Sequence, residues 1–173
     1  MKFMITEKIK MGLVPRKVFF TKGVGVHEDA FLSFELALKD AGIKDFNLVR
    51  VSSIIPPNCK VIEKEKGLSE LRQGQIVYCV MAKMTSNSAG KTVYASIGAA
   101  IPDNTKLNGY LVEDHGCCES DSMDTGKHAK DSAVYLLETS YDVMAAVKTN
   151  VAVKADVEEG KYTTVVAAAI FVM

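Results

Sequence analysis

Hydrophobic and polar positions along the chain switch between two periods, and the switches mark out elements. Residues 17–21, Lys17-Val-Phe-Phe-Thr21, form a β-branched and aromatic run that predicts a strand, with Gly23-Val-Gly25 reading as a glycine turn behind it. Over residues 30–41 the apolar positions fall three and four apart, Glu28 and Asp29 stand before them, and Lys39 and Gly42 close the segment, which predicts a helix. Phe31, Phe34, Leu38 and Ala41 make one stripe and Leu32 and Leu36 lie off it, so this helix is expected to be covered on two sides. Residues 46–51 read as the next strand, stopped by Ile54-Ile55-Pro56-Pro57. Residues 58–75 are rich in Lys and Glu, carry Gly67 and Gly74, and read as a surface loop with a weak strand at 59–62.

Strands are predicted at 76–85 and 92–100, joined as a hairpin through Ser86-Asn-Ser-Ala-Gly90, and a shorter one at 109–116 that ends in polar residues. Residues 123–148 place Ala133, Leu136, Leu137, Tyr141, Met144 and Val147 at helical spacing. Two strands, 150–156 and 162–173, close the chain around Glu158-Glu-Gly160, and the second is so apolar that it predicts a central strand covered on both faces. The order of strand, helix, several strands, helix and two strands implies an α+β layered fold. No repeat or linker interrupts it, so residues 1–173 are read as a single domain.

Composition narrows the function. At 173 residues with 48% hydrophobic content the chain can build its own core, since folding at this size buries roughly 70% of the unfolded surface. Twenty-one Lys and Arg balance 21 Asp and Glu, which argues against a nucleic-acid partner, because phosphate affinity needs a cationic excess. The longest apolar run, residues 165–173, has nine residues against the roughly 18 of a membrane span, so no membrane partner is expected. Residues 1–10 alternate lysines with apolar residues and do not read as a secretory signal. The four cysteines lack C-x-x-C spacing, and Cys117 and Cys118 are adjacent; they read as reduced, buried thiols in a cytoplasmic protein.

The most unusual local feature is Asn47-Leu-Val-Arg-Val-Ser-Ser-Ile-Ile-Pro-Pro57, two serines at the end of an apolar strand and against a double proline. As a bare pair, Ser52 and Ser53 are ordinary turn residues. A serine hydroxyl also lies close to the carbonyl preceding it, so Ser53 Oγ could attack the Ser52 carbonyl carbon and move the acyl group from nitrogen to oxygen. Loss of the α-proton and β-elimination would then leave dehydroalanine at position 53, which hydrolyses to a pyruvoyl group.

That segment, the run Glu113-Asp-His-Gly116, and the helix Phe34-Glu35-Leu36-Ala37-Leu38 ending at Ala41-Gly42 resemble the pyruvoyl-dependent arginine decarboxylases. The likeness follows element order over residues 17–173, with the specific motifs in about a sixth of the chain. It implies a four-layer αββα sandwich cut between Ser52 and Ser53 into a beta chain, 1–52, and an alpha chain, 53–173. It further implies assembly as a trimer or dimer of trimers with active sites between subunits. Arginine would be converted to agmatine and CO₂ for polyamine synthesis, with Asn47 supporting self-processing and Glu113 reprotonating the product. The pyruvoyl carbonyl would form an imine with the substrate amine and its amide carbonyl would take up electrons as CO₂ leaves, so neither pyridoxal phosphate nor a metal is called for.

On residues alone, Glu113 reads either as a solvated acid at a strand end or as a carboxyl held protonated in an apolar setting, the form a proton donor needs. The resemblance favours the second. Glu35 interrupts the apolar stripe Phe31, Phe34, Leu38; it is a charge at the helix border or a binding group for a guanidinium or ammonium. The family carries Asp at this position, and small or aliphatic residues where this chain has Lys44 and the candidate substrate contact Phe46. Two alternatives therefore stay open: the same chemistry on another amino acid, and a non-processing oligomeric binding protein of the same fold. Asp114-His115 beside Cys117-Cys118 is too tightly spaced for a tetrahedral metal set; His115 reads as a loop residue beside the site, and His27 and His128 as surface residues.

Overall fold

The computed structural model describes residues 12–119 and 124–173. Its elements are β1 (Lys17–His27), α1 (Ala30–Asp40), β2 (Asn47–Arg50), β3 (Ile54–Ile55), β4 (Lys60–Val61), α2 (Lys64–Ser69), β5 (Ile76–Ser86), β6 (Thr92–Pro102), β7 (Gly109–Cys118), α3 (Thr125–Tyr141), β8 (Ala145–Asp156) and β9 (Tyr162–Val172). The strands form a five-stranded sheet in the order β2-β5-β9-β1-β4 and a four-stranded sheet in the order β3-β7-β6-β8.

Three apolar layers hold these elements together. Between the sheets lie Val18, Val80, Val93, Ile97, Leu111 and Val165. Phe19, Ala37, Leu38, Ile43 and Ile170 join α1 to the outer face of the first sheet, and Ala100, Ala133, Leu137 and Ala145 join α3 to the second. Full burial of each large aliphatic or aromatic side chain contributes about 1.5–3 kcal/mol. The resulting order of helix, sheet, sheet and helix is compatible with the expected sandwich. β9 sits at the centre of its sheet, with Val165 to Ala169 wholly buried, as its unbroken apolar sequence requires.

Three expectations are corrected. β1 does not stop at Gly23; it continues to His27 in antiparallel register with β9, from Lys17↔Val172 to His27↔Tyr162. A Cβ at Gly23 would collide with the Ala37 carbonyl, and one at Gly25 with the Ser33 carbonyl, so these glycines mark the close approach of α1 and not a turn. Within this one chain α1 buries Ser33, Ala37 and Leu38 on its inward face, while Phe31 is 66% exposed. β5 and β6 are not a hairpin, because β5 pairs with β2 and β9 whereas β6 pairs with β7 and β8, so the segment between them crosses from one sheet to the other. The predicted helix at 123–148 ends at Tyr141, where Asp142 takes the left-handed conformation at φ 53° and its N–H bonds to the Glu138 carbonyl. The residues that follow become β8, and position 123 lies outside the described residues.

The polar stretch 58–75 holds the short helix α2, whose Gly67 is buried beneath the Phe19 ring and allows that contact. The weak strand expected at 59–62 appears as β4, parallel to β1. Among the described residues, no helix is long and apolar enough to cross a membrane.

Candidate active site

The serine pair lies where the chain passes from one sheet to the other. β2 runs parallel to β5, from Asn47↔Ile76 to Arg50↔Cys79, and the Val51 N–H extends this ladder by donating to the Cys79 carbonyl at 2.9 Å. Ile54 and Ile55 pair with Tyr110 and Gly109 of β7 in the second sheet, and the Leu111 N–H donates to the Ser53 carbonyl at 2.9 Å. One serine therefore follows a residue tethered to the first sheet, and the next is itself tethered to the second. Between the tethers, the Ile54 N–H donates to the Ser52 carbonyl at 2.9 Å. Among the described residues, positive φ at non-glycine positions is confined to Asn58 and Asp142, so this i→i+2 bond closes an inverse γ-turn about Ser53. Ser52 is exposed and Ser53 half-buried.

Glu113 shares a face of β7 with Leu111, two residues along, and stands opposite Ile97 of β6. Its surroundings are not the apolar ones expected. The Arg50 guanidinium donates to Glu113 Oε1 at 2.9 Å and, through the same nitrogen, to the Met81 carbonyl at 2.6 Å. Sequence reasoning did not single out Arg50; the available signal was a lone charge in an apolar strand, two residues before the serine pair. Beside this ion pair Cys79 is buried, and burial pushes its thiol up to about 11, with smaller opposed effects from Arg50 and Glu113.

Glu35 lines a cavity of about 350 Å³ together with Phe34 and Leu38 of α1, Phe46, and Asn47 and Arg50 of β2. Lys44 also borders it, with its ammonium 3.6 Å from Asp45 Oδ1. Asn47 faces this cavity yet is engaged elsewhere: its Nδ2 donates to the Gly74 carbonyl at 2.7 Å and its N–H to the Gln75 carbonyl at 2.9 Å. It thus secures the start of β2 and sets where that strand delivers the serines. Ser52 opens instead into a second cavity, also about 350 Å³, bordered by Val51, Tyr78 and Phe171. Among the cavities lined by the described residues, Ser52 and Glu35 border different ones; Arg50 borders the Glu35 cavity and contacts Glu113.

His115 is exposed, and Asp114 turns to the opposite face of β7, where its Oδ2 lies 3.2 Å from His128 Nδ1. Among the described residues, no three His, Cys, Asp or Glu side chains are grouped to hold a metal. Cys59 and Cys79 are buried as expected, but Cys117 is exposed and Cys118 half-buried, because strand alternation and an edge position leave them outside the core.

The fold is thus an α+β protein of two sheets bridged by a serine pair, with Glu35 in a cavity beside β2 and Glu113 on β7. Residues 17–173 match the family described as pyruvoyl-dependent arginine decarboxylase (PvlArgDC). The chain is 60% identical over 161 residues to pyruvoyl-dependent arginine decarboxylase 1 of Archaeoglobus fulgidus, covering 93% of this chain and 100% of that protein. It is 48% identical over 163 residues to pyruvoyl-dependent arginine decarboxylase 2 of the same organism, covering 94% and 100%. Against pyruvoyl-dependent arginine decarboxylase 1 of Methanosarcina acetivorans the identity is 46% over 163 residues, covering 93% and 98%. The chain belongs to the pyruvoyl-dependent arginine decarboxylase family.

Proposed function

We propose that this chain cuts itself between Ser52 and Ser53, that Ser53 becomes a pyruvoyl group, and that the processed enzyme decarboxylates arginine to agmatine. The observation that carries the reading is the placement of the Ser52–Ser53 peptide as the bridge between two sheets, with hydrogen bonds to both of its flanking carbonyls. The names of the relatives supply the substrate class.

Self-processing needs no outside reductant or oxidant. Ser53 Oγ bonds to the Ser52 carbonyl carbon, the bond from that carbon to the Ser53 nitrogen breaks, and the hydroxyl proton passes to the nitrogen. Removal of the Ser53 α-proton then expels the Ser52 carboxylate, and water releases ammonia from the dehydroalanine left behind. The residues present fit the group: β3 pairing and the Leu111 N–H hold the new chain start on the second sheet, and cleavage leaves both contacts in place. A pyruvoyl group supplies an electrophilic carbonyl and an adjoining amide carbonyl that serves as electron sink.

The chain's own residues do the rest. Glu35 receives the guanidinium end of the substrate through charge-assisted hydrogen bonds, with Phe34, Leu38 and Phe46 lining its path. Glu113 delivers the proton that replaces CO₂, and Arg50 orients its carboxylate. Asn47 fixes β2 so that the serines arrive in register. Since Ser52 and Glu35 open to different cavities within one chain, the reading includes a second copy that completes the site, in a trimer or a dimer of trimers.

Intact mass of purified protein tests the first step, with chains of 52 and 121 residues expected. Release of CO₂ from arginine, set beside lysine and ornithine, tests the second. A chain that stays whole on prolonged incubation would leave the binding-protein alternative standing, and preference for another amino acid would move the specificity and keep the chemistry.

A further inference from the structure

We infer that the backbone N–H of Ile54 is the oxyanion donor of self-processing, polarising the Ser52 carbonyl and holding the negative charge that develops there when Ser53 Oγ attacks. This rests on the proposed cleavage at Ser52–Ser53. In the uncut chain the Ile54 N–H already donates to Ser52 O at 2.9 Å, across a turn whose central residue is the nucleophile itself. The turn places three participants in three consecutive residues: the carbonyl attacked on Ser52, the hydroxyl that attacks on Ser53, and the donor on Ile54. A donor aimed in advance at an oxygen about to gain charge requires no reorganisation during the reaction, and such donors are typically worth 10²–10³ in rate.

The surrounding strands hold the donor still. Ile54 is the first residue of β3, in register with Tyr110, and the Leu111 N–H secures the carbonyl just before it at 2.9 Å. On the other side, the Val51 N–H is held by the Cys79 carbonyl at 2.9 Å, so the chain entering the turn is tied to the first sheet. The two donors divide the work. Ile54 serves the carbonyl that is lost from the active chain on cleavage, whereas Leu111 serves the carbonyl that remains. As the electrons of the broken C–N bond move to nitrogen, the Ser52 carbonyl re-forms as an ester carbonyl and the hydroxyl proton ends on the Ser53 amine.

The test replaces isoleucine 54 with its α-hydroxy acid in the full-length chain, turning that one amide into an ester, which removes the N–H and weakens the Ser53 carbonyl as an acceptor for Leu111. Cleavage at 52–53 is followed by intact mass, which separates it from any hydrolysis at 53–54 by one residue. The expected result is cleavage slowed roughly 10²–10³-fold relative to the unsubstituted chain, with an unchanged far-UV spectrum. The matching ester at Leu111, which also removes one backbone bond, is expected to slow cleavage at least tenfold less. Equal slowing by both esters, or no slowing by the ester at 54, would overturn the inference while the unsubstituted chain still cuts. Failure of the unsubstituted chain to cut would instead overturn the proposed function. If the ester chain does not fold, Ile54→Pro also removes the N–H, and normal cleavage in that variant would equally sink the assignment.

Discussion

Two neighbouring regions of this molecule are built by opposite means. Around Ser52–Ser53 position comes from the main chain: the Val51, Ile54 and Leu111 N–H groups each bind a carbonyl at 2.9 Å, and the strand registers decide which. Around Glu35 the walls are side chains from α1, the segment before β2, and β2 itself, enclosing about 350 Å³. A main-chain frame is indifferent to most substitutions, whereas a side-chain wall changes with each one. On the proposed function, bond-making chemistry and substrate choice are therefore separable, and substitutions at Glu35, Lys44 and Phe46 leave the serine bridge untouched.

The largest expected effect comes from Ser53→Ala, which removes the nucleophile. Intact mass should show one uncut chain and CO₂ release should vanish, while arginine still binds in calorimetry through the Glu35 cavity. Loss of that binding along with cleavage would show the two regions to be one. Next in size is Glu113→Gln, which keeps the shape and removes the transferable proton. Cleavage should proceed, and kcat should fall roughly 10²–10⁴-fold, the usual contribution of a positioned acid or base. Unchanged turnover would remove Glu113 as the proton donor.

Glu35→Gln should leave cleavage untouched and raise KM for arginine about ten- to a hundredfold, since a hydrogen bond to a charged group is worth about 1.5–3 kcal/mol. A fall in the cleavage rate of this variant would contradict the separation directly. Glu35→Asp, which keeps the charge on a shorter side chain, should shift KM by only a few fold.

Legibility followed the same division. The serine pair, the double proline, the strand carrying Glu113 and the helix carrying Glu35 were all readable locally, because each is a run of residues with one period and a stop. Residues 86–90 read as a hairpin because loop composition does not reveal that β6, buried along nearly its whole length, needs β7 and β8 on its two sides. Gly23 and Gly25 read as a turn because a glycine that bends the chain and one that admits a helix look alike in sequence; only the Ser33 and Ala37 carbonyls above them tell the difference. Arg50 went unnoticed for a related reason. Its partners, Met81 and Glu113, lie 31 and 63 residues away, beyond the reach of any local pattern.

Arg50 is also where the comparison between the two regions is weakest, since it borders the Glu35 cavity and grips Glu113. The Arg50 side chain is 59% exposed and that of Glu113 29%, so water screens the pair and its worth is about 1 kcal/mol or less. Arg50→Gln should accordingly be the mildest of these variants, lowering kcat up to about fivefold with cleavage intact. A purely structural role would depress kcat and stability together. A positioning role predicts that kcat falls while the melting temperature and KM hold, and that Arg50→Lys restores most of kcat through its point charge. A change confined to KM would instead assign Arg50 to the cavity alone, and the side-chain-built region would then extend to the foot of the serine bridge.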